Sequence, residues 1–168
     1  MNDRKPNRLP GYDYSQGGYY FVTVCTKCRR EWFGAIKNNE MILNEYGIIA
    51  KKAWLEISWH FKNIELNEFV IMPDHMHGII IIKNGYVGNR HACSLQKPQY
   101  HTLPVVIGSY KSGVARCVHK MKDGTGFGWQ KSFYDHIIRN ENSLIQAREY
   151  ILNDPKQSRI GIKNNDFS

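Results

Sequence analysis

The sequence predicts an α+β domain on the ferredoxin-like, split βαβ plan: an antiparallel sheet of about four strands, helices on one face and an additional C-terminal helix. Three observations carry that expectation. Four short segments are β-branched, either alternating or running together; three longer segments place apolar residues at helical spacing; and these segments follow one another as β-α-β-β-α-β-α.

Residues 1–18 are polar and read as an N-terminal arm. Tyr19 to Thr26 alternates and is β-branched, which predicts the first strand. A helix begins around Asn44, with Tyr46, Ile49, Ala50, Ala53, Trp54 and Ile57 on its core side and Lys51, Lys52 and Glu56 between them. Glu65 to Met72 and His75 to Lys83 predict two strands joined by the turn residues Pro73 and Asp74, and hence a hairpin, with Ile79 to Ile82 as the buried body of the second strand. Residues 84–103 have no period and read as a long loop. Pro104 suits the first turn of a helix carrying Ile107, Tyr110, Val114, Cys117 and Val118 on one stripe. The glycine-rich stretch 122–128 ends it, Ser132 to Arg139 predicts a fourth strand, and Asn142 to about Asn153 a third helix stopped by Pro155.

With 168 residues, 42% of them hydrophobic, the chain can bury one real core, and 1–168 reads as a single domain. No apolar run approaches the roughly 18 residues of a membrane span, and the polar N-terminus lacks the apolar centre of a secretory signal, so a cytoplasmic protein without membrane contact is expected. Lysine and arginine outnumber the acids 23 to 15, a net charge of +8 that favours a polyanion, with nucleic acid foremost. Ten tyrosines and 12% aromatic residues suit the stacking of single-stranded bases. On the second helix, Lys111, Arg116 and Lys120 lie off the apolar stripe and are candidate phosphate contacts. The four cysteines, Cys25, Cys28, Cys93 and Cys117, include one CxxC without a second, which falls short of the paired knuckles of a structural zinc site.

The segment MPDHMHGIIII poses the chemical question. In a strand, residues at i and i+2 share a face, so His75 and His77 converge and can offer two imidazole nitrogens to one cation. A further oxygen must come from elsewhere in the fold. On the third helix, Leu144, Ile145, Ala147, Arg148, Ile151 and Leu152 fall on one side, and Gln146, Tyr150, Asn153 and Asp154 on the other. The Tyr150 phenol and Asp154 carboxylate then project one turn apart from one face. A phenol beside a cation that neutralises a phosphate suggests a nucleophile for phosphoryl transfer, provided that positive charge or a base assists it.

PDHMHGIIII, WQKSFYDHIIRNE and AREYILNDP, in this order and spacing, together with RLPGYDYSQGGYYFVTVCT and VIGSYKSGVAR, resemble the single-tyrosine HUH transposases, the IS200/IS605-like and REP-associated group. The likeness covers nearly the whole chain. It implies a metal-dependent endonuclease and strand transferase acting on single-stranded DNA beside a hairpin, through a 5′-phosphotyrosine intermediate. The implied roles are His75 and His77 as metal ligands and Tyr150 as nucleophile, with Mg²⁺ or Mn²⁺ as the ion. The third ligand of IS200-like members is typically a glutamine four residues after the tyrosine; Asp154 stands there in this chain. Relatives act either as homodimers that exchange tyrosines or as monomers. Tyr134 and His136 read as structural residues of the fourth strand. Two other readings fit parts of the pattern: a non-catalytic nucleic-acid-binding module of RRM type, which would need aromatic residues on its central strands, and a metal-dependent hydrolase of a small substrate, which would not need Tyr150.

Overall fold

In the computed structural model, which describes residues 16–83 and 102–157, the alternating segment Gly18–Cys25 forms a central strand, β1. It pairs antiparallel with the histidine strand His75–Ile82 on one side and with the edge strand Tyr134–Ile138 on the other. Ile64–Ile71 pairs antiparallel with the outer side of the histidine strand. Numbered along the chain these strands are β1, β5, β6 and β4, and their order β4-β5-β1-β6 is that of the split βαβ plan. The helices are α1 (Glu45–Leu55), a single turn α2 (Ile57–His60), α3 (Leu103–His119) and α4 (Glu141–Gln157).

The period of two along a strand divides β1 and β5 between two cores. Tyr20, Val22, Val24, Met76, Ile80 and Ile82 face α1 and α3, where they pack with Trp54, Val106, Ile107, Tyr110, Val114 and Val118. Phe21 and Ile79 face the other way and are covered, with Ile138, by Leu144, Ala147 and Ile151 of α4. The same alternation puts His75 and His77 on the α4 side. Gly78, between His77 and Ile79, faces the large core, where a Cβ would run into the Trp54 indole. The backbone there approaches the ring too closely for any side chain.

Other features depart from expectation. Residues 34–43 form a separate hairpin, β2 (Gly34–Lys37) and β3 (Glu40–Leu43), which the sequence reading passed over. Its signal is the Asn38-Asn39 turn, both residues at positive φ, as a tight hairpin turn requires. The Asn44 side chain accepts a hydrogen bond from the Gly47 N–H at 3.0 Å and caps α1. Cys117, placed on the α3 stripe, is exposed; Leu103 and Val106 are buried there instead. Pro155 does not stop α4, which runs to Gln157. A proline so near the C-terminus forfeits one backbone bond, and Ile151 and Asp154 bury the turn. The buried stripe of α4 is Leu144, Ala147, Ile151 and Asp154, so Ile145 and Leu152, expected in the core, are exposed, while Asp154, expected off it, is inside. The apolar residues of this helix share one side but span an arc of roughly 160°, wider than the buried stripe; the sheet selects the edge of that arc that also buries the carboxylate. The arm at 1–18 and the loop at 84–103 lie outside the described residues, apart from 16–18 and 102–103.

Candidate metal centre and active site

Register builds the site. His75 lies opposite Cys25 and His77 opposite Thr23, so two residues of β1 stand beside the pair on the same face. The outer nitrogens of both rings have partners: His77 Nδ1 is 2.7 Å from Thr23 Oγ1, and His75 Nδ1 is 2.5 Å from Asp74 Oδ1. In the tautomer that donates both Nδ1–H groups outward, both Nε2 lone pairs point inward. The Nε2 atoms are 3.1 Å apart. From α4, Asp154 Oδ2 comes to 3.6 Å from His75 Nε2 and 3.8 Å from His77 Nε2. All three residues are buried, and their donor atoms lie within 4.8 Å of one another.

This donor set fits a divalent cation. Two ligands about 2.1 Å from one ion at right angles stand roughly 3 Å apart, close to the spacing of the two nitrogens and a little under that of the carboxylate. Two neutral imidazoles and one carboxylate supply nitrogen and oxygen donors, and the carboxylate offsets one of the ion's two charges. Burial, with the neighbouring charges of His75 and Arg29, pushes His77 well below the ordinary histidine value, so this ring is neutral, the form that ligates. His75 is also disfavoured as a cation by burial, but the carboxylates of Asp154 and Asp74 outweigh that and raise it. Asp74 is pulled the other way: burial favours its neutral form, but the hydrogen bond and charge of His75 and the Arg29 guanidinium hold it below the usual carboxylate range.

Arg29 extends the arrangement. Its Nε donates to Asp74 Oδ2 at 2.7 Å, and its Nη1 lies 2.9 Å from Cys25 Sγ. A chain of contacts thus runs from Arg29 through Asp74 to His75. Sequence reading missed Arg29, Thr23 and Asp74 as site residues. Asp74 had a signal, its place directly before His75. Arg29 had none, because it reaches the strand through a short turn in which Cys28 and Arg29 adopt φ of 57° and 54°. The Cys25–Cys28 pair is divided by the same turn, with Cys25 buried and Cys28 exposed.

Tyr150 is one turn from Asp154 and half-buried. Its ring meets His77 edge-on with centroids 5.2 Å apart and Phe21 at 5.8 Å, while Phe21 stacks on His77 at 5.3 Å. Tyr150 is therefore held against the histidine pair. The three basic residues of α3 differ in their surroundings. Arg116 and Lys120 are exposed, whereas the Lys111 ammonium donates to the Gln130 carbonyl at 2.7 Å and reaches those of Lys131 and Ser132 at 3.3 and 3.4 Å. Tyr134 and His136 lie on β6 and are exposed.

Comparison with known proteins adds what geometry cannot. No family model matches the chain. An uncharacterized protein of Haemophilus influenzae is 36% identical over 165 residues, 92% of this chain and 89% of that one. A second protein of that organism, provisionally named a REP-associated tyrosine transposase, is 22% identical over 144 residues, 85% of this chain and 73% of that one. In fold, the chain is similar to a REP-associated tyrosine transposase solved bound to a REP hairpin, with a TM-score of 0.59 at 18% identity over 90% of this chain and 74% of the other. The chain thus shares the fold of a REP-associated tyrosine transposase, and its distant named relative and structural neighbour are of the group that its motifs resemble.

Proposed function

We propose that this protein is a single-tyrosine transposase of the REP-associated group, a metal-dependent endonuclease and strand transferase of single-stranded DNA that works through a 5′-phosphotyrosine at sites beside a hairpin. The observation that supports it most is the convergence of His75, His77 and Asp154 within 4.8 Å, with the Tyr150 ring against His77. His75 Nε2, His77 Nε2 and Asp154 Oδ2 would hold Mg²⁺ or Mn²⁺, an HUH centre completed from α4. When bound, that ion withdraws charge from the scissile phosphate. Tyr150 Oη attacks the phosphorus, its bond to the 3′ oxygen breaks, the phenol proton is lost and the departing 3′ oxygen takes one up. The link to the 5′ phosphate conserves the phosphodiester, so the 3′ hydroxyl of another end can reverse the step without an energy source. Asp74 and Thr23 hold the two rings in the ligating tautomer, and Phe21 sets the distance between Tyr150 and His77.

The relative of similar fold was solved on a hairpin, and a net charge of +8 suits such a partner. Arg116 and Lys120 are the exposed phosphate contacts of α3; Lys111 would have to exchange carbonyls for phosphate or serve by holding 130–132 in place. The reading extends to a homodimer and a cytoplasmic location, both of which the scheme accommodates. Among the described residues no helix is long and apolar enough to cross a membrane.

Incubation with labelled single strands that carry hairpins and Mn²⁺ should give a protein–DNA adduct that survives denaturation. Tyr150→Phe should give none while it still folds and binds DNA, and a chelator should abolish the adduct of the wild type. An adduct that persists in Tyr150→Phe and disappears in Tyr134→Phe would transfer the nucleophile to β6.

A further inference from the structure

β6 is an edge strand, and its register with β1 determines which way its side chains point. Tyr134 lies opposite Thr23 and His136 opposite Phe21, while Thr23 and Phe21 lie opposite His77 and Ile79 of β5. Residues directly opposite one another in an antiparallel pair share a face. Tyr134, Thr23 and His77 therefore form one row across the α4 side of the sheet, and His136, Phe21 and Ile79 form the next.

The helix covers only part of that side. Arg148 of α4 reaches Asn67 and Glu68 of β4 at 2.9 and 3.0 Å, so the helix crosses toward β4, and on β6 it covers Ile138 at the strand's end. Phe21 is 7% exposed beneath it, whereas Tyr134 is 51% exposed and His136 is exposed too. Among the described residues, the sheet surface beyond Phe21 and Thr23 is thus open, and the Tyr150 ring, edge-on to Phe21, stands at its border.

We propose that the open surface around Tyr134 and His136 on this face is a shelf on which bases of single-stranded DNA next to the scissile phosphate stack, with Tyr134 and His136 as the ring contacts. The proposal rests on the nuclease reading above and specifies where its substrate lies. Three features favour a nucleic-acid strand as the occupant. The shelf is continuous with the site: two strand spacings put the Tyr134 backbone about 10 Å from that of His77, the reach of a neighbouring nucleotide. Tyr134 and His136 are two residues apart, about 7 Å along the strand, so successive bases of an extended strand can each meet a ring. Exposed Lys131 and Arg139 bracket the strand with positive charge suited to a phosphate backbone. Stacking on rings tolerates any base, so the shelf would add affinity and position more than sequence choice.

The test uses the full chain, an oligothymidylate of about 12 nucleotides and the same sugar–phosphate backbone without bases, with affinities read by fluorescence anisotropy. Tyr134→Ala and His136→Ala should each weaken oligothymidylate binding about tenfold, while Tyr134→Phe, which keeps the ring, stays within about twofold of wild type. On the abasic strand all four proteins should bind alike. Unchanged affinity in both alanine variants, or the same loss on the abasic strand, overturns the shelf; if Tyr150 still forms its adduct in those variants, the nuclease reading survives. A wild type that binds neither strand and forms no adduct overturns both.

Discussion

Asp74 shows how much a single residue beside a ligand can govern. Its carboxylate joins Arg29 to His75 and holds the ring so that Nε2 faces the candidate cation. Asp74→Asn keeps the size and removes the charge, and Mn²⁺ affinity measured by calorimetry should fall about 10- to 100-fold with the fold intact. Gly78 sits one residue beyond His77 and answers to the opposite face. Gly78→Ala forces a methyl against Trp54, so thermal unfolding should show a loss of roughly 1–3 kcal/mol. The two histidines were legible because an i, i+2 spacing on a strand has one geometric outcome. Tyr134 and His136 were read correctly as strand residues, but alternation cannot say whether a face is covered.

At the scale of elements, α4 carries both the carboxylate and the phenol of the site, and its rotation decides which of its residues face the sheet. Six apolar or long side chains suggested a stripe through Ile145 and Leu152, yet both are exposed, because burying Asp154 beside the histidines turns the helix toward its polar side. Pro155→Ala would return an N–H to its last turn and should raise stability by about 1 kcal/mol or more, read from denaturant unfolding. The entry to α1 makes a second case. The Asn44 side chain accepts from the Gly47 N–H and donates to the Trp32 carbonyl at 2.9 Å, which ties the helix start to the chain before the β2–β3 hairpin. Asn44→Ala should cost about 1 kcal/mol in the same measurement.

Over the whole molecule, the sheet separates two tasks. Its α1 and α3 side buries the large core, with Tyr20, Met76 and Trp54 fully inside, while its α4 side holds a smaller core and the polar site. Stability and chemistry are therefore distributed over opposite faces of the same strands. The net charge of +8 belongs to this scale as well. Binding of a single strand should weaken with salt, and Arg116→Ala or Lys120→Ala should each lower the slope of log K against log salt by about 0.7 if that residue meets a phosphate. Lys111→Ala should instead loosen the segment 130–132, seen as faster amide exchange there, since its ammonium is engaged with those carbonyls.

By itself the sequence determined the order of the four sheet strands and the three long helices, the split βαβ plan and the convergence of His75 with His77, because each depends on local period or on a motif of fixed spacing, whereas the short β2–β3 hairpin escaped it. The tertiary structure alone decided which stripe of α4 is buried, that Asp154 closes the site from 3.6 and 3.8 Å, that Arg29 stands behind Asp74, and that, among the described residues, Tyr134 and His136 lie exposed on the α4 side. Those outcomes turn on how one packed surface meets another. A helix whose apolar arc is wider than the stripe a sheet can cover can dock in more than one rotation with similar apolar burial, and only the particular sheet face beneath it, with two histidines awaiting a carboxylate, selects one.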